Sequence, residues 1–170
     1  MWSFLYNNRD ILDNETTLLV INEFLNMLNE TTEGQHMELS WVHENQWNIK
    51  QDDYLSMCKK KTAWYTCITP CRLGNLIATN TDLNKNDFVN FGEDLGIAFQ
   101  IRDDVLNLVA GTKYGKESAG DLVEGKRTLI LIHLLELAST KDRETVEHIL
   151  SGDRKIREQN YKTILELIHK

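Results

Sequence analysis

The stretch Gly96-Ile97-Ala98-Phe99-Gln100-Ile101-Arg102-Asp103-Asp104-Val105-Leu106-Asn107 decides how the chain is read. Its apolar residues recur at helical rather than alternating spacing, which predicts one long helix from Asn84 to Val109. At 3.6 residues per turn, Gln100, Asp103, Asp104 and Asn107 share an arc of roughly 100°. Gly96 lies on the same face, where its missing side chain is expected to leave room for a ligand. Two adjacent carboxylates between two amides, set among Phe99, Ile101, Val105, Leu106 and Leu108, are costly to bury without a compensating positive charge. All these oxygens are hard ligands, and their natural partner is a magnesium ion that keeps part of its water shell. The competing reading has Asp103 and Asp104 facing solvent, or pairing with Arg102 or Arg127.

Outward from this face the chain is rich in lysine and glycine. Downstream are Tyr114-Gly115-Lys116, Gly120-Asp121-Leu122 and Glu124-Gly125-Lys126-Arg127-Thr128-Leu129; upstream is Lys59-Lys60-Lys61-Thr62. Lysines held on glycine-containing loops near an aspartate pair suit one shared ligand, a diphosphate, with metal on the carboxylates and ammonium groups on phosphate oxygens. Lys59 to Lys61 would also serve as an ordinary solvated helix face.

Helical periodicity continues through the rest of the chain. A first helix is expected from Glu15 to Glu44, with a break near Gly34. A second begins at Asp52-Asp53, acidic residues suited to a helix start, and runs to Ala78 with a kink at Pro70, the single proline. After a loop from Gly111 to Asp121, further helices are expected at Leu129–Leu137, Arg143–Leu150 and Lys155–His169. No segment alternates at period two, so the fold class is all-α, a helical bundle.

The 170 residues, 41% hydrophobic and 26% charged, suffice for one domain with a genuine core. No run approaches the roughly 20 apolar residues that span a bilayer, so no transmembrane segment is expected. The N-terminal Met1-Trp2-Ser3-Phe4-Leu5-Tyr6 lacks a signal-peptide pattern, and a cytoplasmic protein is expected. A net charge of -7 argues against nucleic acid as a partner. Cys58, Cys67 and Cys71 are odd in number and contain no C-x-x-C pair, which disfavours disulfides and zinc. The pair Cys67 and Cys71 reads as two small apolar residues on one helical face.

Taken together, Phe99 to Leu135 resembles the second aspartate-rich region of trans-prenyl diphosphate synthases. Gly34-Gln35 with Met37-Glu38-Leu39 is similar to that family's G-Q-x-x-D-L helix. Lys61-Thr62-Ala63-Trp64-Tyr65-Thr66, continuing through Pro70 and Arg72-Leu73-Gly74, is similar to its K-T motif. The branch resembled is the one that makes geranylgeranyl and farnesyl diphosphates. The resemblance implies the isoprenoid synthase type of bundle over residues 1–170, incomplete at both ends. It implies chain elongation of an allylic diphosphate by isopentenyl diphosphate, with Mg²⁺ as cofactor. Asp103 is then a direct metal ligand, supported by Asp104 and Asn107. Lys61, Lys116 and Lys126 contact the diphosphate, Thr62 and Gln100 lie near the ionising carbon, Asp121 orients the lysine-bearing loop, and Gln35 faces the pocket.

The family's first aspartate-rich motif is not found in these residues, and the chain alone is expected to show little synthase activity. A truncated synthase, one half of a split enzyme completed by a chain bearing that motif, and a non-catalytic subunit all remain open, as does a homodimer. A terpene cyclase is disfavoured, because Gly120-Asp121-Leu122 followed by Glu124-Gly125-Lys126-Arg127-Thr128-Leu129 resembles the elongating enzymes. A non-enzymatic helical interaction module is the remaining alternative.

Overall fold

A computed structural model describes residues 11–80, 84, 86–109 and 119–170, together with Ser3 and Asn7. The described residues are helical, with no strand among them: α1 (Asn14–His43), α2 (Gln51–Cys58), a π-helical segment (Lys59–Ile68), α3 (Thr69–Thr79), α4 (Val89–Val109), α5 (Gly120–Glu124), α6 (Leu129–Leu137), α7 (Thr140–Ser151) and α8 (Arg154–Ile168). The all-α expectation holds. The chain divides into two compact units, residues 1–35 with 58–97, and residues 36–57 with 98–170.

In the first unit, Asp13 caps α1 by accepting the Thr16 amide at 2.8 Å. Val20 and Leu76 form a small core with Leu19, Ile21, Phe24 and Leu73. Beside it, buried Arg72 of α3 donates from Nε and Nη2 to the two carboxylate oxygens of Glu23, at 2.8 and 2.6 Å. Its Nη1 reaches the carbonyl oxygens of Asn84 and Asp87, at 2.9 and 3.0 Å. One guanidinium therefore joins α1, α3 and the approach to α4. α4 starts at Val89 rather than at Asn84, because residues 86–88 form a turn that closes on Phe88 with a left-handed φ of 63°.

The expected break at Gly34 does not occur; α1 runs through it. The reason for the glycine is a close crossing, because a Cβ there would stand 2.7 Å from Lys61 Cα. Gly92 likewise abuts Ile68, where a Cβ would meet Cγ1 at 2.6 Å, and a Cβ on Gly96 would collide with Ala63. Glycines on two helices thus seat the same π-helical segment. Ahead of Pro70, where a kink was expected, the helix widens into that segment, and the proline follows as the second residue of α3 with helical backbone across the junction.

The second unit has the larger core: Leu122, Leu131, Leu135, Val146, Ile149, Leu150 and Ile164, with Trp47, Leu108 and Tyr161 packed on it. Its helix starts follow from the sequence. Thr128 accepts the Leu131 amide, Ser139 that of Asp142 and Asp153 that of Ile156, at 3.4, 3.2 and 2.9 Å. Arg127 is buried with its guanidinium 3.9 Å from the Trp47 ring centroid, donating to the carbonyls of Gln46 and Gly125. Burial, with the charge of Arg157 nearby, pulls its pKa down to about 10.

Candidate functional site

Each unit carries part of the expected constellation. In the second unit the centre is Asp104 of α4, which is 5% exposed. Its Oδ2 accepts the Tyr54 hydroxyl at 2.6 Å, and its Oδ1 accepts Gln100 Nε2 at 2.8 Å. Burial, reinforced by the Asp121 and Asp103 carboxylates, pushes the Asp104 carboxyl up to about 6, against the opposing pull of the two hydrogen bonds. Asp103, the adjacent residue, is half-buried, as is Gln100.

Asn107 is buried and turned to the backbone of the following segment. Its Oδ1 accepts the Asp121 amide and its carbonyl accepts the Ala119 amide, both at 3.0 Å. It therefore anchors the start of α5, a short helix whose first two residues, Gly120 and Asp121, fall within the expected Gly111–Asp121 loop; residues 111–118 of that loop lie outside the described residues. Asp121 in turn accepts Lys126 Nζ at 2.7 Å, and Glu124, unassigned by sequence reading, takes the same ammonium at 2.9 Å. Burial opposes charge on Lys126, but these two carboxylates outweigh it and hold the ammonium above the ordinary lysine range. Gly125, at φ 77°, turns the chain between Glu124 and Lys126 in the left-handed region that suits glycine.

In the first unit Lys61 is half-buried and Thr62 is buried, both on the π-helical segment held by the glycine contacts. Lys60 is paired with Glu30 and Glu33 at 3.1 and 2.6 Å, and Lys59 pairs with Glu93, so these two lysines serve local ion pairs. Gln35 is exposed. The space expected beside Gly96 for a ligand is occupied by Ala63. Arg127 is engaged as described above, which removes it as a counter-ion for the aspartates. Lys116 lies outside the described residues. Tyr54 was missed because it lies 50 positions from Asp104 in sequence.

The donor set meets one test for a divalent cation: a half-buried carboxylate beside a second, buried carboxylate in surroundings that disfavour added negative charge. Among the described residues no group of three or more His, Cys, Asp or Glu side chains that could hold a metal ion is gathered. A separate cleft of about 600 Å³, lined by apolar residues including Leu129, Leu134, Leu137 and Ile168, contains none of the expected site residues.

Residues 5–168 match the polyprenyl synthetase family, and the chain belongs to it. It is 30% identical over 161 residues to a geranylgeranyl diphosphate synthase of Saccharolobus solfataricus, covering 94% of this chain and 47% of that protein. The crystal structure of a geranylgeranyl pyrophosphate synthetase from Pyrococcus horikoshii is similar with a TM-score of 0.69 at 29% identity, covering 92% of this chain and 48% of that one. A geranylgeranyl pyrophosphate synthase from Corynebacterium glutamicum, solved with isoprenyl diphosphate and magnesium, gives a TM-score of 0.75 at 26% identity over 93% of this chain and 44% of that one. The chain thus spans about half the length of the relatives it matches. No helix among the described residues is long and apolar enough to cross a membrane.

Proposed function

We propose that this chain supplies part of a trans-prenyl diphosphate synthase, in which an allylic diphosphate ionises and its carbon cation is captured by the double bond of isopentenyl diphosphate. The observation that carries the reading is the α4 face: Asp103 beside an Asp104 held by Tyr54 and Gln100, with Asn107 tying in the segment that bears Asp121 and Lys126. Membership of the polyprenyl synthetase family and the magnesium and isoprenyl diphosphate in the Corynebacterium relative support it.

Asp103 would hold Mg²⁺, with Asp104 and Asn107 in support, and the ion would supply positive charge to balance the diphosphate. Lys61, Lys116 and Lys126 grip the diphosphate oxygens, and Asp121 aims Lys126. Thr62 and Gln100 turn oxygen dipoles to the carbon that becomes positive, where preorganised dipoles act most strongly. Gln35 borders the same ligand. The released diphosphate takes the proton lost after carbon–carbon bond formation, so no covalent nucleophile is required. Both compact units belong to one cytoplasmic synthase domain, and the first aspartate-rich motif comes from another segment or a complementing chain.

The experiment is calorimetric titration of the chain with dimethylallyl diphosphate, with and without Mg²⁺. The reading requires magnesium-dependent binding that Asp103→Ala abolishes and Lys126→Ala weakens. Binding that ignores both the metal and Asp103 would overturn it. Turnover with isopentenyl diphosphate by the 170-residue chain alone would refute the complementation requirement but leave the ligand assignment standing.

A further inference from the structure

Arg127 is 2% exposed, and its guanidinium lies over the Trp47 ring, 3.9 Å from the centroid. Its Nε donates to the Gln46 carbonyl at 3.1 Å and its Nη1 to that of Gly125. Its Nη2 is buried and has no hydrogen-bond partner among the described residues. A second guanidinium, that of Arg157, stands against the same Gly125, where a Cβ would meet its Nη1 at 2.8 Å; its Nε is likewise buried without a partner. Neither arginine has a carboxylate partner among the described residues. Glu147, whose charge reaches Arg127, is taken by Arg143 Nε at 2.7 Å.

Arg127 lines a niche of about 40 Å³ between residues 46–50 and α6, which Asn48, Lys50 and Arg143 also border. Among the described residues its acidic border is Glu136, a side chain exposed to solvent. A single water needs roughly 10–15 Å³ of such space, so the niche admits one small ion and little more. Water there would satisfy Nη2 but leave two neighbouring positive charges uncancelled, and a buried unpaired charge is the costlier defect. The same charges exclude a cation.

We propose that this niche binds a small monovalent anion of the size and charge of chloride, held by Arg127 Nη2, with Asn48, Lys50 and Arg143 around it. None of its lining residues belongs to the α4 face, and the inference does not rest on the proposed function. A diphosphate is too large for the niche, which separates this anion from the ligand assigned to Lys126.

The test is ³⁵Cl NMR of the chain, with chloride replacing gluconate at constant ionic strength. The expected result is excess line broadening that saturates with chloride and is displaced by bromide, a halide of similar size. Arg127→Met should lower the affinity at least ~10-fold, the scale of one hydrogen bond to a charged group. Lys155→Met, a change at an exposed lysine of α8, should leave the affinity as it is. If Arg127→Met fails to fold, Arg143→Gln, which removes a bordering charge, decides: weaker chloride binding supports the site and unchanged binding overturns it. Absence of saturable broadening in the wild type means the niche holds water only, and overturns the proposal. Saturable broadening that survives Arg127→Met in a folded chain places the anion elsewhere and also overturns it. Mg²⁺ with inorganic pyrophosphate should leave the broadening in place; its loss would put chloride in the diphosphate site and overturn the assignment.

Discussion

Lys126 Nζ stands 2.7 Å from Asp121 Oδ1, and the backbone N–H of that same Asp121 is held by Asn107 Oδ1 at 3.0 Å. A lysine on one segment is thereby referred, through a single aspartate, to the helix face that carries Asp103. The arrangement fixes a flexible ammonium at the cost of its rotational freedom, an investment with little structural return on a half-buried lysine. We expect Asp121→Ala to weaken binding of Mg²⁺-pyrophosphate by ~10-fold, the scale of losing an outer-shell orienting partner. Calorimetry checks this, and unchanged affinity would reduce Asp121 to a helix-start residue.

The Arg72–Glu23 pair is buried and bidentate, and Arg72 also satisfies two carbonyls. Arg72→Ala leaves Glu23 charged and unpaired, and should cost roughly 3–5 kcal/mol of stability. Thermal unfolding reads the loss, and replacing both residues with apolar ones of similar volume should recover much of it. A single variant within about 0.5 kcal/mol of wild type would contradict this account of the first unit.

Gly34→Ala and Gly96→Ala each insert a methyl group into a backbone crossing on the π-helical segment. Overpacking of this kind costs about 1–3 kcal/mol. Because the segment bears Lys61 and Thr62, ligand affinity should fall in variants that remain folded. Gly74, with open space around it, is the control, and its alanine variant should keep wild-type binding.

Cys58 and Cys67 are buried whereas Cys71 is half-buried, and burial pushes the Cys67 thiol above the ordinary range. Thiol reagents attack the thiolate. Mass spectrometry of maleimide-treated chain should find Cys71 labelled first and the other two only after unfolding; equal rates at all three would contradict the packing.

The parts legible in sequence are those determined locally. Helix α6 matches its expected bounds, Leu129–Leu137, because an apolar run follows directly on a threonine able to cap it. The α4 face was legible for the same reason, since helical spacing alone brings Gln100 and Asp104 together. Glycines misled. Gly34 and Gly96 look the same in sequence whether they break a helix, admit a ligand or admit another backbone, and only the crossing with Lys61 and Ala63 decides. The start of α4 differs from the expectation because Phe88 takes a left-handed φ of 63°, a conformation that spacing does not signal. Tyr54 and Glu124 were invisible because each acts through a partner that no periodicity points to.

In the proposed function the α4 face captures a divalent cation and, with it, a diphosphate. The most direct measurement follows ¹³C carboxyl signals of labelled aspartates while Mg²⁺ and inorganic pyrophosphate are added together. The expected result is a saturable shift of Asp103, a smaller one at Asp104, and none at Asp153, which caps α8. An Asp103 signal that stays in place through the titration, or moves no more than Asp153 does, would contradict it.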